Sequence, residues 1–216
     1  LSCPSFKRDN LIVQKSSRCV IISETVKNVA VTRFQGGNQM GCFVFRSPRL
    51  GFLAASPALA RPVAAFYHRN QAAFAPFEAV REDAYFTPAG QAEQLAADLA
   101  QAEQDMRYRF YAVQPRHPGK VIGMFCLDCV IRGAFQSCFI SYKTDSTLWG
   151  QGYGTEGIQA LSDWGFANLR LHRIEANIMP RNLSSRRAAA KAGFSEEGLS
   201  KHYLKINGVW EDHIHM

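Results

Sequence analysis

The chain has 216 residues, 47% hydrophobic and 20% charged, with a formal net charge of +7. That is room for one domain of ordinary size with a substantial core; no apolar run approaches the ~20 residues of a membrane-spanning helix, and no cleavable signal pattern is expected. The charge is uneven: residues 1–41 hold six Lys/Arg and two Asp/Glu, leaving +3 for the rest. This mild basic bias suits an anionic ligand or ribosomal surroundings and is diagnostic of neither.

The chain begins with Leu, and its first Met is Met40. Cys19 to Ile22 and Val29 to Phe34 have some strand character, and Gly36-Gly37-Asn38 looks like a break. Residues 1–41 are therefore expected to be an appendage, with one domain over 42–216. Phe43 to Arg46, extending toward Phe52, reads as a first strand. Ser56-Pro57 is an N-cap followed by proline at the first helical position, opening a helix to about Arg69. Thr87-Pro88 repeats the signal ahead of a long helix from Ala89 to Arg107. Arg109 to Val113 is a strand, His117 to Lys120 a turn, and Val121 to Ile131 and Phe135 to Thr144 two further strands.

Ile158, Leu161, Trp164 and Leu169 mark the buried side of the next helix. Arg173 to Ile178 is a strand, Leu183 to Ala192 a helix, and Gly193 its stop. Glu197 to Ile206 and Val209 to His215 form a hairpin across Asn207-Gly208. The order argues for one mixed α/β domain. Six cysteines match no disulfide spacing. Cys126 and Cys129 form a CxxC, but no second pair or nearby His completes a zinc set, and an offset of three on a strand points them to opposite faces. They read as reduced core cysteines of a cytoplasmic protein, and no metal is expected.

The chemistry concentrates at Leu148 to Glu156, Leu-Trp-Gly-Gln-Gly-Tyr-Gly-Thr-Glu, between a strand and a helix. Such a turn collects unpaired amides and the positive helix end, so it reads either as an anion site for a phosphate-bearing ligand or as a tight strand–helix connection. Gly152 to Gly157 also matches GxGxxG, with Glu175 near the spacing of a ribose-binding acid. A dinucleotide fold, however, needs several further parallel strands, and here the chain closes on an antiparallel hairpin.

Taken together with the helix at Leu183 to Ala192, the loop resembles that of the GCN5-related N-acetyltransferase (GNAT) superfamily, Gln/Arg-x-x-Gly-x-Gly/Ala. Gly152 and Gly154 take the small positions, while Trp149 stands where Gln or Arg is usual. Asn182-Leu183-Ser184-Ser185, with Gly193-Phe194 beyond it, matches the family's Asn-x-x-Ser…Gly-Phe helix. Phe77 to Arg81, Val130 to Phe135, His172 to Asn177 and Tyr203 to His213 resemble the RimJ/RimL group, most closely its RimJ branch, which acetylates N-terminal amines of ribosomal proteins. The resemblance covers about Phe43 to Met216, and the family's last strand usually runs a little further.

The resemblance implies a mostly antiparallel central sheet with splayed central strands and helices on both faces. It implies acetyl-CoA as co-substrate, bound along Tyr142, Lys143 and Thr144 and on the turn of Trp149, Gly150, Gln151, Gly152, Tyr153, Gly154 and Thr155, with Asn182 and Ser185 beside it. Ser185 is placed to relay a proton to the thiolate; Asn182 caps its helix, binds the cofactor, or both. His202, before Tyr203-Leu204, or Glu175 is the candidate general base, and the loop of Phe77, Glu78 and Arg81 lines the acceptor cleft. The expected activity is acetyl transfer to the α-amine of an N-terminal Ala or Ser on a ribosomal protein. It is expected to involve no nucleic acid and no membrane, and to be carried out by a monomer or homodimer. A transferase for small amines and a non-catalytic acyl-CoA-binding module stand as alternatives.

Overall fold

The computed structural model describes residues 43–216; the strand character expected within residues 1–41 lies outside the described residues. β1 (Phe45–Arg46) and β2 (Gly51–Ala54) form a hairpin rather than one strand. Pro48 cannot donate to a ladder, and the Ser47 amide closes the turn onto Leu50 O at 2.9 Å. Ser56 caps a 3₁₀ turn that leads into α1 (Ala60–Phe74), which runs past the expected Arg69. Thr87 Oγ1 accepts from the Gly90 amide at 3.1 Å and caps α2 (Pro88–Glu103). That helix stops short of Arg107, where β3 (Arg107–Gln114) begins. The next turn falls at Pro115-Arg116, earlier than expected, so β4 (His117–Ile131) is a long strand.

β3 and β4 form the centre of the sheet and are buried on both sides, which separates two cores. Phe110 and Ala112 of β3, with Phe125 and Leu127 of β4, meet α3 (Tyr153–Leu169) and α4 (Leu183–Lys191). Tyr111, Val113, Met124 and Cys126 face α1 and α2. Ile158, Leu161, Trp164 and Leu169 are all buried on the α3 side, as their spacing requires.

Antiparallel pairing runs from β1 through β5 (Ser137–Thr144), and β6 (Arg173–Glu175) then joins β5 in parallel. That last pairing stops after three residues, at Phe139 and Glu175. Ala176 turns away to exchange backbone bonds of 2.8 and 2.9 Å with Met216. β7 (Asn177–Ile178) then belongs to a second sheet of order β7-β9-β8, with β8 (Gly198–Ile206) and β9 (Val209–His215). The single strand expected from Arg173 to Ile178 is thus divided between two sheets, and from Ile140 to Thr144 one edge of β5 is left open. The fold is a mixed α/β arrangement with a mostly antiparallel, splayed sheet and helices on both faces. Asn207 and Gly208 have φ of 50° and 82°, the pair of left-handed residues that a type I′ hairpin needs.

Among the described residues no helix is long and apolar enough to cross a membrane, and no group of three or more His, Cys, Asp or Glu could hold a metal ion. Cys126 is buried as expected of a core cysteine, but Cys129 is exposed: the register shift after Asp128, with Cys129 at φ of 52°, turns it out of the sheet.

Candidate active site

The open edge of β5 leads into the glycine turn. Asp145 is buried at its start, where Arg69 Nε of α1 donates to it at 2.7 Å and the Thr147 amide and hydroxyl at 3.2 and 2.9 Å. Burial works to raise the Asp145 pKa; the bonds from Arg69 and Thr147 outweigh it, so the carboxyl lies below its usual range. Trp149 donates its indole N–H to Thr144 O at 2.9 Å, fastening the turn to the end of β5.

Gly152 caps α3 with φ of 83°, a left-handed conformation that suits a residue without Cβ. The first intrahelical bond runs from the Glu156 amide to Gly152 O at 3.0 Å. The amides of Tyr153, Gly154 and Thr155 precede it and face the helix end, where the dipole is positive. Glu156 is clamped from β1–β2: Ser47 Oγ donates to it at 2.6 Å, the Arg49 amide at 2.8 Å and Arg49 Nε at 2.5 Å. Arg49 also donates to Gln151 O at 2.9 Å and lies 4.2 Å over the Tyr153 ring. Amides, a helix dipole and a guanidinium converge here, and this donor set fits a phosphate-bearing group.

Across the splay from β5 stands α4. Asn182 Oδ1 accepts from the Ser185 amide at 3.2 Å and caps the helix. Tyr142 of β5 and Ser185 have their hydroxyls 2.8 Å apart, and Tyr142 O–H also reaches Ser185 O at 3.1 Å. Burial pushes the Tyr142 phenol up to about 12, with the Ser185 hydrogen bond pulling the other way, so it stays protonated at neutral pH. One continuous cleft of about 1300 Å³ contains Tyr142, Lys143, Thr144, Trp149, Gly150, Gly152, Gly154, Thr155, Asn182 and Ser185. Of the expected cofactor residues, Gln151 and Tyr153 turn their side chains elsewhere: Gln151 Nε2 donates to Thr147 O at 3.2 Å, and the Tyr153 hydroxyl oxygen accepts from Gln114 Nε2 at 2.8 Å.

Neither of the two candidate bases lines this cleft. His202 sits in the register shift between Ser200 and Leu204 with φ of 51°, its side chain exposed and its amide donating to Asp212 at 2.8 Å. Glu175 lies in the closed part of the sheet opposite Phe139 and accepts from Arg173 Nε at 2.8 Å. The histidine that does line the cleft is His213, which is buried. Its Nδ1 is 3.0 Å from Glu211 O, a pure acceptor, so Nδ1 carries the proton and Nε2 is left as an acceptor.

The other side of the cleft is a lip formed by Tyr67 and Phe74 of α1 with Phe77, Glu78, Arg81 and Tyr85, as expected for that loop. Its centre is an ion pair between Glu78 Oε2 and Lys143 Nζ. Neither this pair nor the Arg49–Glu156 clamp is visible in local sequence, since 65 and 107 positions separate the partners.

Residues 49–195 match the family model described as "Acetyltransferase (GNAT) domain". The chain is 42% identical over 144 residues to the probable N-acetyltransferase YjcK of Bacillus subtilis, covering 67% of this chain and 79% of that protein. Among solved structures it resembles a ribosomal-protein-S5-alanine acetyltransferase from Vibrio fischeri, with TM-score 0.74, 32% identity, and coverage of 79% and 93% of the two chains. It also resembles Mycobacterium smegmatis RimJ in complex with CoA-disulfide, with TM-score 0.72, 27% identity, and coverage of 77% and 79%. With the splayed sheet and the glycine turn beside them, these matches establish that the chain belongs to the GNAT family of acetyltransferases and is an N-acetyltransferase of the RimJ/RimL type.

Proposed function

We propose that the protein transfers acetyl from acetyl-CoA to the free α-amine of a protein beginning with Ala or Ser, and that the acceptor is a ribosomal protein met in the cytoplasm. The observation that carries this reading is the cleft itself, open beside β5 between the glycine turn and the aromatic lip, in a chain 32% identical to an S5-alanine acetyltransferase.

Acetyl-CoA supplies an activated thioester. The amides of Tyr153, Gly154 and Thr155 and the Arg49 guanidinium hold its phosphates, and the open edge of Ile140 to Thr144 aligns its chain with the acceptor. Holding both reactants in line can supply effective molarities of ~10⁵ M or more. The Tyr142 and Ser185 hydroxyls, 2.8 Å apart, form a pair from which Ser185 gives a proton to the leaving sulfur, and the proton lost is restored from solvent. A proton leaving the amine has His213 Nε2 as acceptor. Little is asked of that base: an α-amine has a pKa of about 7.7–8.0, so a sizeable fraction is already neutral near pH 7.4, against ~0.1% of a free lysine.

Free-thiol release from acetyl-CoA tests the reading, with peptides beginning Ala or Ser compared against α-blocked, lysine-containing controls. Release is expected only with a free N-terminal Ala or Ser, and in Ser185→Ala a fall in kcat of about 10²-fold at unchanged acetyl-CoA affinity. Release with small amines alone would replace the proposed acceptor. Saturable acetyl-CoA binding with no release from any amine would make the protein an acyl-CoA-binding module.

A further inference from the structure

Three carboxylates line the cleft: Glu78, Asp128 and Glu156. Both oxygens of Asp128 are taken by Arg107, each at 2.9 Å. Those of Glu156 are taken by Ser47 and Arg49. Glu78 is different. One oxygen meets Lys143 Nζ, and the other accepts no hydrogen bond from the described residues. The carboxylate stands just beyond a 3₁₀ turn, Ala75–Phe77, at the end of α1, and its side chain is 15% exposed. The ammonium it holds stands over the faces of Tyr67 and Phe74, with Lys143 Nζ 5.5 Å from each ring centroid. A carboxylate among aromatic faces is a receptor for an ammonium group, since charge and ring quadrupoles act together. The occupant here is itself a primary ammonium.

We propose that Glu78 is the anchor for the acceptor's α-ammonium, which gives up its proton before it attacks the thioester, and that Lys143 occupies that anchor only until the acceptor displaces it. The assignment rests on the reading that the acceptor is a free N-terminal amine. The two ammonium groups compete for one carboxylate, so the pair acts as a gate that opens to a primary amine and stays shut to an α-blocked peptide. Burial lowers the Lys143 pKa, Glu78 works against it, and Arg81 and Arg109 add to the lowering. Lys143 follows Tyr142 on β5 and points to the opposite face, so an amine bound at Glu78 approaches from the lip, across the cleft from the Ser185 hydroxyl.

The test compares Glu78→Gln with Lys143→Met, using a peptide beginning with Ala and its desamino analogue. Peptide affinity is measured by calorimetry with CoA bound, which needs no turnover, and peptide KM at saturating acetyl-CoA. Glu78→Gln is expected to weaken binding of the amino peptide by at least about tenfold and to abolish its advantage over the desamino analogue, with acetyl-CoA affinity within about twofold of wild type. Lys143→Met removes the competitor and is expected to tighten the same peptide about threefold or more. Opposite signs are the signature, because a merely structural ion pair would weaken both variants alike and lower the melting temperature of each. Wild-type and Glu78→Gln proteins that bind the amino peptide equally would overturn the anchor while leaving the α-amine reading intact. A wild-type protein that binds no α-amine peptide would overturn both.

Discussion

On the wall built by the glycine turn, the groups aimed into the cleft are mostly backbone amides, held within the short stretch from Leu148 to Glu156. On the facing lip they are side chains, Glu78 from the end of α1 and Lys143 from β5, 65 positions apart in the chain. The difference teaches where each kind of function is encoded. A turn of amides is written locally, in left-handed glycines and in the helix they open. An ion pair in an aromatic box exists only after the sheet has brought α1 beside β5. The first can be shifted by changing backbone or helix packing; the second changes with one side chain.

The largest effect is expected where α3 is set against the sheet. Gly157 lies one turn into that helix, and a Cβ there would overlap the Phe125 ring. Phe125 is fully buried, so its ring cannot yield without moving its neighbours. Gly157→Ala should cost about 3 kcal/mol and lower the melting temperature by roughly 5–10 °C. It should also weaken acetyl-CoA binding, because the N-terminal amides move with the helix. A lip that still separates amino from desamino peptides in this variant would confirm that the two walls work independently. Joint loss of both would break the comparison.

Most of the turn wall was legible in the sequence. The left-handed glycines Gly150 and Gly152, with φ of 78° and 83°, the Asn182 cap and the buried side of α3 each come from residue type at a fixed spacing. The splay was legible only through family resemblance, because nothing in Arg173 to Ile178 marks Ala176 as the residue that leaves one sheet for the other. That His202 lies outside the cleft was hidden for a related reason: a register shift in β8 is a pairing property, invisible in either strand alone. His213 carried no signal beyond being an inward residue on the last strand. The lip was legible as a loop, and its chemistry was not. Glu78 and Lys143 are ordinary charged residues until packing makes them neighbours.

A second expected effect, of about 1–3 kcal/mol, concerns the tie between the walls. Arg69 belongs to α1, which carries Tyr67 and Phe74 of the lip, and Asp145 opens the glycine turn. The folded pKa of Asp145 is depressed, so its stabilisation is present above the unfolded value and is lost as pH falls through the folded one. Glu156, clamped by Ser47 and Arg49, has the same sign. Melting temperature measured against pH should therefore drop below about pH 4, and Asp145→Asn should lower stability at pH 7 while flattening that acid limb. An unchanged limb in Asp145→Asn would mean that this pair does not tie the walls together.

The smallest effect is also the most direct question about the turn. Trp149 stands where the GNAT loop usually has Gln or Arg, beside the amides that we propose hold the phosphates. Its indole is 46% exposed, and its one hydrogen bond runs back to Thr144 O, so its role here is to fasten the turn to β5. Trp149→Gln should therefore cost about 1 kcal/mol of stability for the lost bond, and change acetyl-CoA affinity by no more than about threefold. Calorimetric titration with acetyl-CoA would decide it. A gain of tenfold or more would mean that a polar side chain at this position grips the phosphates directly. The wall would then be built from side chains as well as amides, and its difference from the lip would be one of degree.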